Sequence, residues 1–200
     1  LQNPFLGSNF NNNEIEKSFK KLNLKIPPYF ETDILIDKST DILKEEKIIA
    51  WFQGRSEFGP RALGNRSFLA DPRKEKIKDI LNSSIKHRES FRPFAPSILE
   101  DYIKEYFHLN QKSPYMNIVA DVKNEKIKDI QAVVHIDKTS RVHSVAKKEN
   151  EIYYKLIESF YKKTSIPLLL NTSFNIQEPI VYSPIDAIKT FMKSDVDLLV

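Results

Sequence analysis

The sequence contains no cysteine, so neither a disulfide nor a thiolate metal site can form. That lack is compatible with a reducing cytoplasm, which is the expected location. Glycine is scarce too, four residues in 200, and three of the four (Gly54, Gly59, Gly64) fall in one stretch, "WFQGRSEFGPRALGNRSFLADPR". Arginine is rare beside lysine, seven against 24, yet Arg55, Arg61, Arg66 and Arg73 share that stretch, which has no lysine. No apolar run approaches the roughly 20 residues of a membrane-spanning helix. The opening "LQNPFLGSNF" lacks the charged-then-apolar plan of a signal peptide. What is present is an ordinary globular balance, 40% hydrophobic and 29% charged, in a chain long enough to bury a core of its own. A net charge of +4 suits phosphate or another anion and does not by itself indicate nucleic acid.

Residues 1–30 read as a peripheral segment or linker: a loop, a short helix over Glu14–Leu22, then "IPPYF", where two prolines exclude regular structure. Helices are predicted over Ser39–Glu46 with Ser39 as N-cap, over Lys74–Ile85, over Asp101–Phe107, over Asn150–Lys163, and over Ser183–Lys193 with Ser183 as N-cap and Pro184 at its first position. Strands are predicted for "KIIAWFQ", "SFLAD", "YMNIVADV", "AVVHI", "SRVHSV" and "IPLLL", with "FRPFAPSIL" extended around its prolines. This order implies an α/β sheet carrying helices. The closing "DVDLLV" reads as a strand cut short, and the missing initial Met suggests a fragment of a longer protein.

The Gly/Arg stretch carries the chemistry. Glycine allows positive φ and close approach to the backbone. Arginine offers a planar fork of donors suited to phosphate or carboxylate, where lysine is a flexible point charge. Arg88 and Arg92 extend the bias, so that six of the seven arginines lie between positions 55 and 92. Pointed into one cleft they form a polyanion site. Paired with Glu57, Asp71 and Glu89 they merely pin loops, and Arg73, beside Asp71, is the first candidate for that role. An RNA-binding face is the other alternative, but it usually adds exposed aromatics, and Phe58 and Phe68 serve a core equally well. Lys86 and Arg88, two apart, would share one face of an extended segment, or else form a solvated helix end. "LLLNTSFN" ends a buried strand in Asn171, Thr172, Ser173 and Asn175, where α/β sheets bind ligands, though a plain turn would use the same residues. "VHIDKTSRVHSV" holds Arg141, and its His135 and His143 read as ordinary strand residues without metal-ligand spacing.

"GRSEFGPRALGNRSFLADPR", "IKHRESFRPFAPSIL", "SPYM", "HIDKTSRVHSV" and "LLLNTSFNIQEPIV" stand in the order found in the C-terminal domain of O-carbamoyltransferases, the family of nodulation-factor, cephamycin and tobramycin carbamoylation enzymes. The resemblance runs from Leu1 to Val200. It implies a YrdC-like twisted, open, mixed sheet flanked by helices over residues 31–200, and a missing N-terminal domain, similar to actin-like ATPases, that performs the transfer. It further implies binding of carbamoyl phosphate and ATP, with Mg²⁺ on the ATP phosphates, to form a carbamoyl adenylate. The Lys-x-Arg and Ser-x-Asn signatures of YrdC-like enzymes match Lys86-x-Arg88 and Ser173-x-Asn175. The site residues expected on this basis are Arg55, Arg61, Arg66, Lys86, Arg88, Arg92, Arg141, Asn171, Ser173 and Asn175. Lys86, Arg61 and Arg88 are expected to be catalytic, with Arg88 and Arg66 toward the triphosphate. No protein metal ligand, membrane or nucleic-acid partner is expected. The chain departs from the family at Ser56 (often Met), at Lys138 (often Gly) and in "NIQEP", which lacks a Gly before Glu-Pro. The long "EFGPRALGNRS" motif argues against threonylcarbamoyl-adenylate synthesis, which shares the two short signatures.

Overall fold

The computed structural model describes residues 3–200, so the first two residues of the expected linker lie outside the described residues. Seven strands form one mixed sheet in the order β4-β5-β3-β6-β2-β1-β7. They are β1 (Ile49–Phe52), β2 (Arg66–Ala70), β3 (Ala95–Leu99), β4 (Ile118–Asp121), β5 (Thr139–Val145), β6 (Leu168–Ser173) and β7 (Leu198–Leu199). β6 is central, antiparallel to both β2 and β3, while β3–β5 and β1–β7 are parallel pairs. Strands buried on both faces read as continuous apolar runs, and Ile49, Ala50, Phe68, Leu69, Ile98, Leu168, Leu169 and Leu170 are all sealed from solvent.

The helices are α1 (Asn12–Lys21), α2 (Thr32–Lys44), α3 (Lys76–Ile80), α4 (Ile103–Tyr106), α5 (Glu151–Thr164) and α6 (Pro184–Lys193). α5 lays Tyr153, Leu156, Ile157 and Phe160 on β3 and β6, as its spacing predicts. Asn150 caps α5 by accepting from Tyr153 N–H. α6 starts at Ser183 and Pro184 as expected, with a reciprocal bond between Ser183 and Asp186. Residues 4–8 lie along the Gly/Arg loop: Gly7 N–H donates to Ser56 O, Ser56 N–H to Ser8 O, and Phe58 N–H to Pro4 O.

Three expectations are corrected. Ser39 is no N-cap. It lies inside α2, which starts seven residues earlier, because the buried face of α2 mixes Ile36 and Leu43 with Ser39 and Thr40 and so hides its apolar period. Thr40 Oγ1 bonds Ile36 O and Ser159 Oγ, tying α2 to α5. "AVVHI" is no strand. Gln131–Val133 form a 3-10 turn whose Ala132 and Val133 plug the core, and the chain then reverses through His135 N–H to Thr139 O. The helix expected over Lys74–Ile85 becomes α3 followed by a π-helical turn over Leu81–Ile85, with Lys86 N–H reaching back to Leu81 O. Such wide turns recur at functional sites.

The reversal after His135 places Lys138 at φ 64. A left-handed residue with a Cβ costs roughly 1–2 kcal/mol, and glycine returns roughly half of that as unfolded-chain entropy. Lys138→Gly is therefore expected to stabilise the fold by about 0.5–1 kcal/mol in urea unfolding. A destabilised variant would mean that the Lys138 side chain makes compensating contacts.

Candidate functional site

The Gly/Arg loop connects β1 to β2, and its carboxylate holds it together. Glu57 Oε1 accepts three backbone N–H groups, from Leu63 (2.8 Å), Asn65 (2.8 Å) and Arg66 (3.2 Å). Arg66 is fully buried. Its guanidinium donates to the carbonyls of Gln53 (2.6 Å), Asn65 (2.8 Å), Gly54 (3.1 Å) and Ser8 (3.4 Å), and stacks 3.6 Å above the Phe52 ring. Burial holds it down to about 10, with Glu57 opposing. Arg66 thus braces the loop, and the structure does not place it free for a triphosphate. Arg55 is exposed and donates to Leu6 O. Arg73 makes a bidentate pair with the buried Asp71, as its position suggested. Arg92 meets Glu89 at 3.3 Å with both side chains largely exposed, a pair worth little.

Asn171 lies within β6, registered against Leu69 and Ala95, rather than beyond the strand end. Its Nδ2 donates to Ala62 O (3.1 Å) and Ser97 Oγ (2.9 Å). Ser97 in turn sits 2.7 Å from His143 Nδ1, and burial pushes that histidine down to about 3. This neutral chain anchors the loop at Ala62, next to Arg61. Phe68 is core, whereas Phe58 is 69% exposed.

Lys86 and Arg88 do not share a face. His87 between them has φ 45, and the chain turns sharply there. Lys86 is buried, and its Nζ points at the loop after β6. It donates to Ser173 O (2.5 Å), Asn175 O (2.7 Å) and Asn175 Oδ1 (2.8 Å), with Ser173 Oγ at 3.3 Å. Ser173 Oγ donates to Asn175 Oδ1 (2.7 Å), so the two signature pairs close on each other. Burial first, then Arg88, lowers Lys86 to about 7, with Glu178 opposing. Arg88 goes the other way: Nε bonds Asn82 Oδ1 (2.7 Å) and the guanidinium lies 4.8 Å from the Phe94 ring. Asn82, fully buried, also holds Ser90 O and Arg92 O, and so shapes the whole loop. Sequence reasoning passed over Asn82. Its one signal is an amide set among the apolar positions Leu81 and Ile85.

The remaining cations lie close enough to oppose one another. Arg88 is lowered by burial, then by Arg92, with Arg141 also contributing; Arg141 is lowered by burial and then by Arg61. Lys86, Arg88, Arg141 and Arg61 form a run of like charges, and among the described residues none of the four is in an ion pair. Among the described residues, Arg141 Nε is buried without a hydrogen-bond partner. Grouped, half-buried cations of one sign destabilise one another unless an anion joins them. These like charges are contributed by β5, the β1–β2 loop and the segment that packs on the β6 loop, an arrangement able to accept a polyanion. Among the described residues no group of three His, Asp or Glu is placed to hold a metal, and no helix is long and apolar enough to cross a membrane.

The fold is shared with solved structures. Pyrococcus abyssi Sua5, solved with L-threonine, superposes with a TM-score of 0.62 at 16% identity over 86% of this chain and 47% of that one. Full-length HypF in its phosphate- and nucleotide-bound form gives 0.58 at 22% identity over 85% of this chain and 21% of that one. The architecture is the expected α/β, YrdC-like one. The family whose pattern matches residues 40–200 is the carbamoyltransferase C-terminus, and the chain belongs to it. Nodulation protein NolO of Bradyrhizobium diazoefficiens is 49% identical over 84% of the chain and 32% of its own length. An uncharacterised Synechocystis protein is 41% identical over the whole chain and 36% of its own length. The chain therefore spans about a third of these relatives.

Proposed function

We propose that residues 31–200 are the carbamoyl-phosphate- and ATP-binding domain of an O-carbamoyltransferase and form a carbamoyl adenylate. Residues 1–30 link this domain to an N-terminal domain that passes the carbamoyl group to a hydroxyl, most simply on a sugar. The observation that carries this reading is the run of unpaired cations beside the closed Lys86–Ser173–Asn175 cluster. Family membership and the relatives' greater length support it. So does the fold shared with HypF, solved with phosphate and nucleotide, and with Sua5.

In this reading carbamoyl phosphate is hydrolysed to carbamate and phosphate. A carbamate oxygen then attacks the α-phosphorus of ATP, the bond to the bridging oxygen breaks, and pyrophosphate leaves. Such chemistry needs positioning and charge neutralisation more than a covalent nucleophile. Arg61 and Arg141 hold the carbamoyl phosphate, and Arg88 and Arg92 hold the triphosphate. Lys86 exchanges one loop oxygen for a phosphate oxygen, with Ser173 and Asn175 lining the same spot. Mg²⁺ carried by the ATP phosphates would neutralise part of their charge beside Arg88 and Arg92. The reaction is cytoplasmic.

The test is carbamoyl-phosphate-dependent exchange of labelled pyrophosphate into ATP, measured on the full-length protein that contains this chain. Exchange that requires carbamoyl phosphate is the expected result. ATP binding with no exchange under any carbamoyl donor would remove the adenylation step.

A further inference from the structure

Glu57 and Arg61 line a cavity of about 100 Å³ together with Ser56, Arg66, Val181 and Tyr182. The Glu57 carboxylate shares this space with the guanidiniums of Arg61 and Arg66, yet among the described residues neither Glu57 nor Arg61 is in an ion pair. Glu57 is held rigidly, because its Oε1 takes three backbone N–H groups. Among the described residues its Oε2 accepts no hydrogen bond, and it is not one of the sealed, unpartnered atoms. Arg61 is exposed and, among the described residues, donates to nothing. The cavity therefore presents a fixed acceptor on one side and a forked donor on the other, with Val181 as an apolar wall.

A ligand that bridges these two must donate and accept within a few ångströms. A fully ionised phosphate only accepts, and a singly protonated one offers a single P–OH on an anion that the carboxylate repels. A methyl ketone or an acetyl group only accepts as well. A carbamoyl group does both, through its NH₂ and its carbonyl oxygen. We propose that Glu57 is the residue that recognises the carbamoyl NH₂, with Arg61 on the carbonyl, so that this cavity is the subsite that separates carbamoyl from acyl phosphates. The assignment rests on the carbamoyl-phosphate reading above. It gives Glu57 a role beyond bracing the loop. Hydrogen bonds to a charged acceptor are strong, and a ligand that leaves this acceptor without a donor is disfavoured.

The test uses two stable probes of one shape, phosphonoacetamide and acetonylphosphonate, which differ only in NH₂ against CH₃. Both are titrated calorimetrically into the full-length protein and its Glu57→Gln variant. Glutamine keeps an oxygen for the three N–H groups but turns its own NH₂ toward the cavity. The native protein is expected to favour the amide by about 10–100-fold. Glu57→Gln is expected to lose at least tenfold of that preference while its affinity for the ketone is retained. The ratio of the two affinities is independent of how much of the variant is folded. An unchanged ratio in Glu57→Gln, or no preference in the native protein, overturns the role of Glu57 while the carbamoyl-phosphate site stands. Failure of both probes to bind the native protein overturns the site and this inference together.

Discussion

Replacing Lys86 by alanine is expected to lower carbamoyl-phosphate-dependent ATP–pyrophosphate exchange by on the order of 10²–10³-fold, the loss typical of one preorganised donor. The far-ultraviolet circular dichroism should stay native, because Lys86 bonds only the last residue of β6 and the loop after it. Three oxygens now paired to Nζ, those of Ser173 and Asn175, lose their donor. Lys86→Met, which fills the space without the charge, should be as inactive as Lys86→Ala. Full activity in either variant would remove Lys86 from the site.

The same residue sets a pH dependence. Lys86 is lowered from an ordinary 10.5 to about 7. Between those two values the unfolded chain holds a proton that the folded chain lacks. This contribution to stability is therefore present above about 10.5 and is lost as pH falls toward 7. A phosphate ligand favours the charged ammonium, so binding above pH 7 should take up a proton, and affinity should weaken as pH rises. Calorimetry at pH 8 in buffers of different ionisation enthalpy reads the uptake directly. Its disappearance in Lys86→Met assigns it to this group, and an equal uptake in that variant would place it elsewhere.

The second large effect is expected at Gly64. Its φ is 96, outside the range that residues with a Cβ adopt, and an added Cβ would stand 2.1 Å from Tyr153 Cδ1. Tyr153 is fully buried on α5 and cannot retreat. Backbone strain of about 1–3 kcal/mol and overpacking of about 1–3 kcal/mol act together. Gly64→Ala should thus lose roughly 2–6 kcal/mol in urea unfolding. Adding Tyr153→Leu should recover the packing part and leave the backbone part. A loss under about 1 kcal/mol for the single variant would mean that Gly64 does not sit against the α5 ring.

Much of this was legible in the sequence because it is local. The periodicity of α5, the cap of α6 and the apolar runs of β1 and β6 each report their element within a few residues. The crowding of arginine and glycine between positions 51 and 92 marked the region proposed to bind an anion without any coordinates, and the ordered motifs carried the family and its fold. Side-chain destinations were not legible, because they depend on groups distant in the chain. Arg61 and Arg66 are alike in sequence, but Arg66 is enclosed by the carbonyls of Gln53, Gly54 and Asn65, while Arg61 is left open. Lys86 and Arg88 looked like neighbours on one face until the turn at His87 separated them. Asn171 looked like a loop ligand until pairing with β2 and β3 placed it inside the sheet. The sequence by itself determined which charges are present and roughly where they gather. Only the tertiary structure decided which of them are used up by the chain's own oxygens and which remain for a ligand. Burial and long-range hydrogen bonding make that choice, and neither is written in residue spacing.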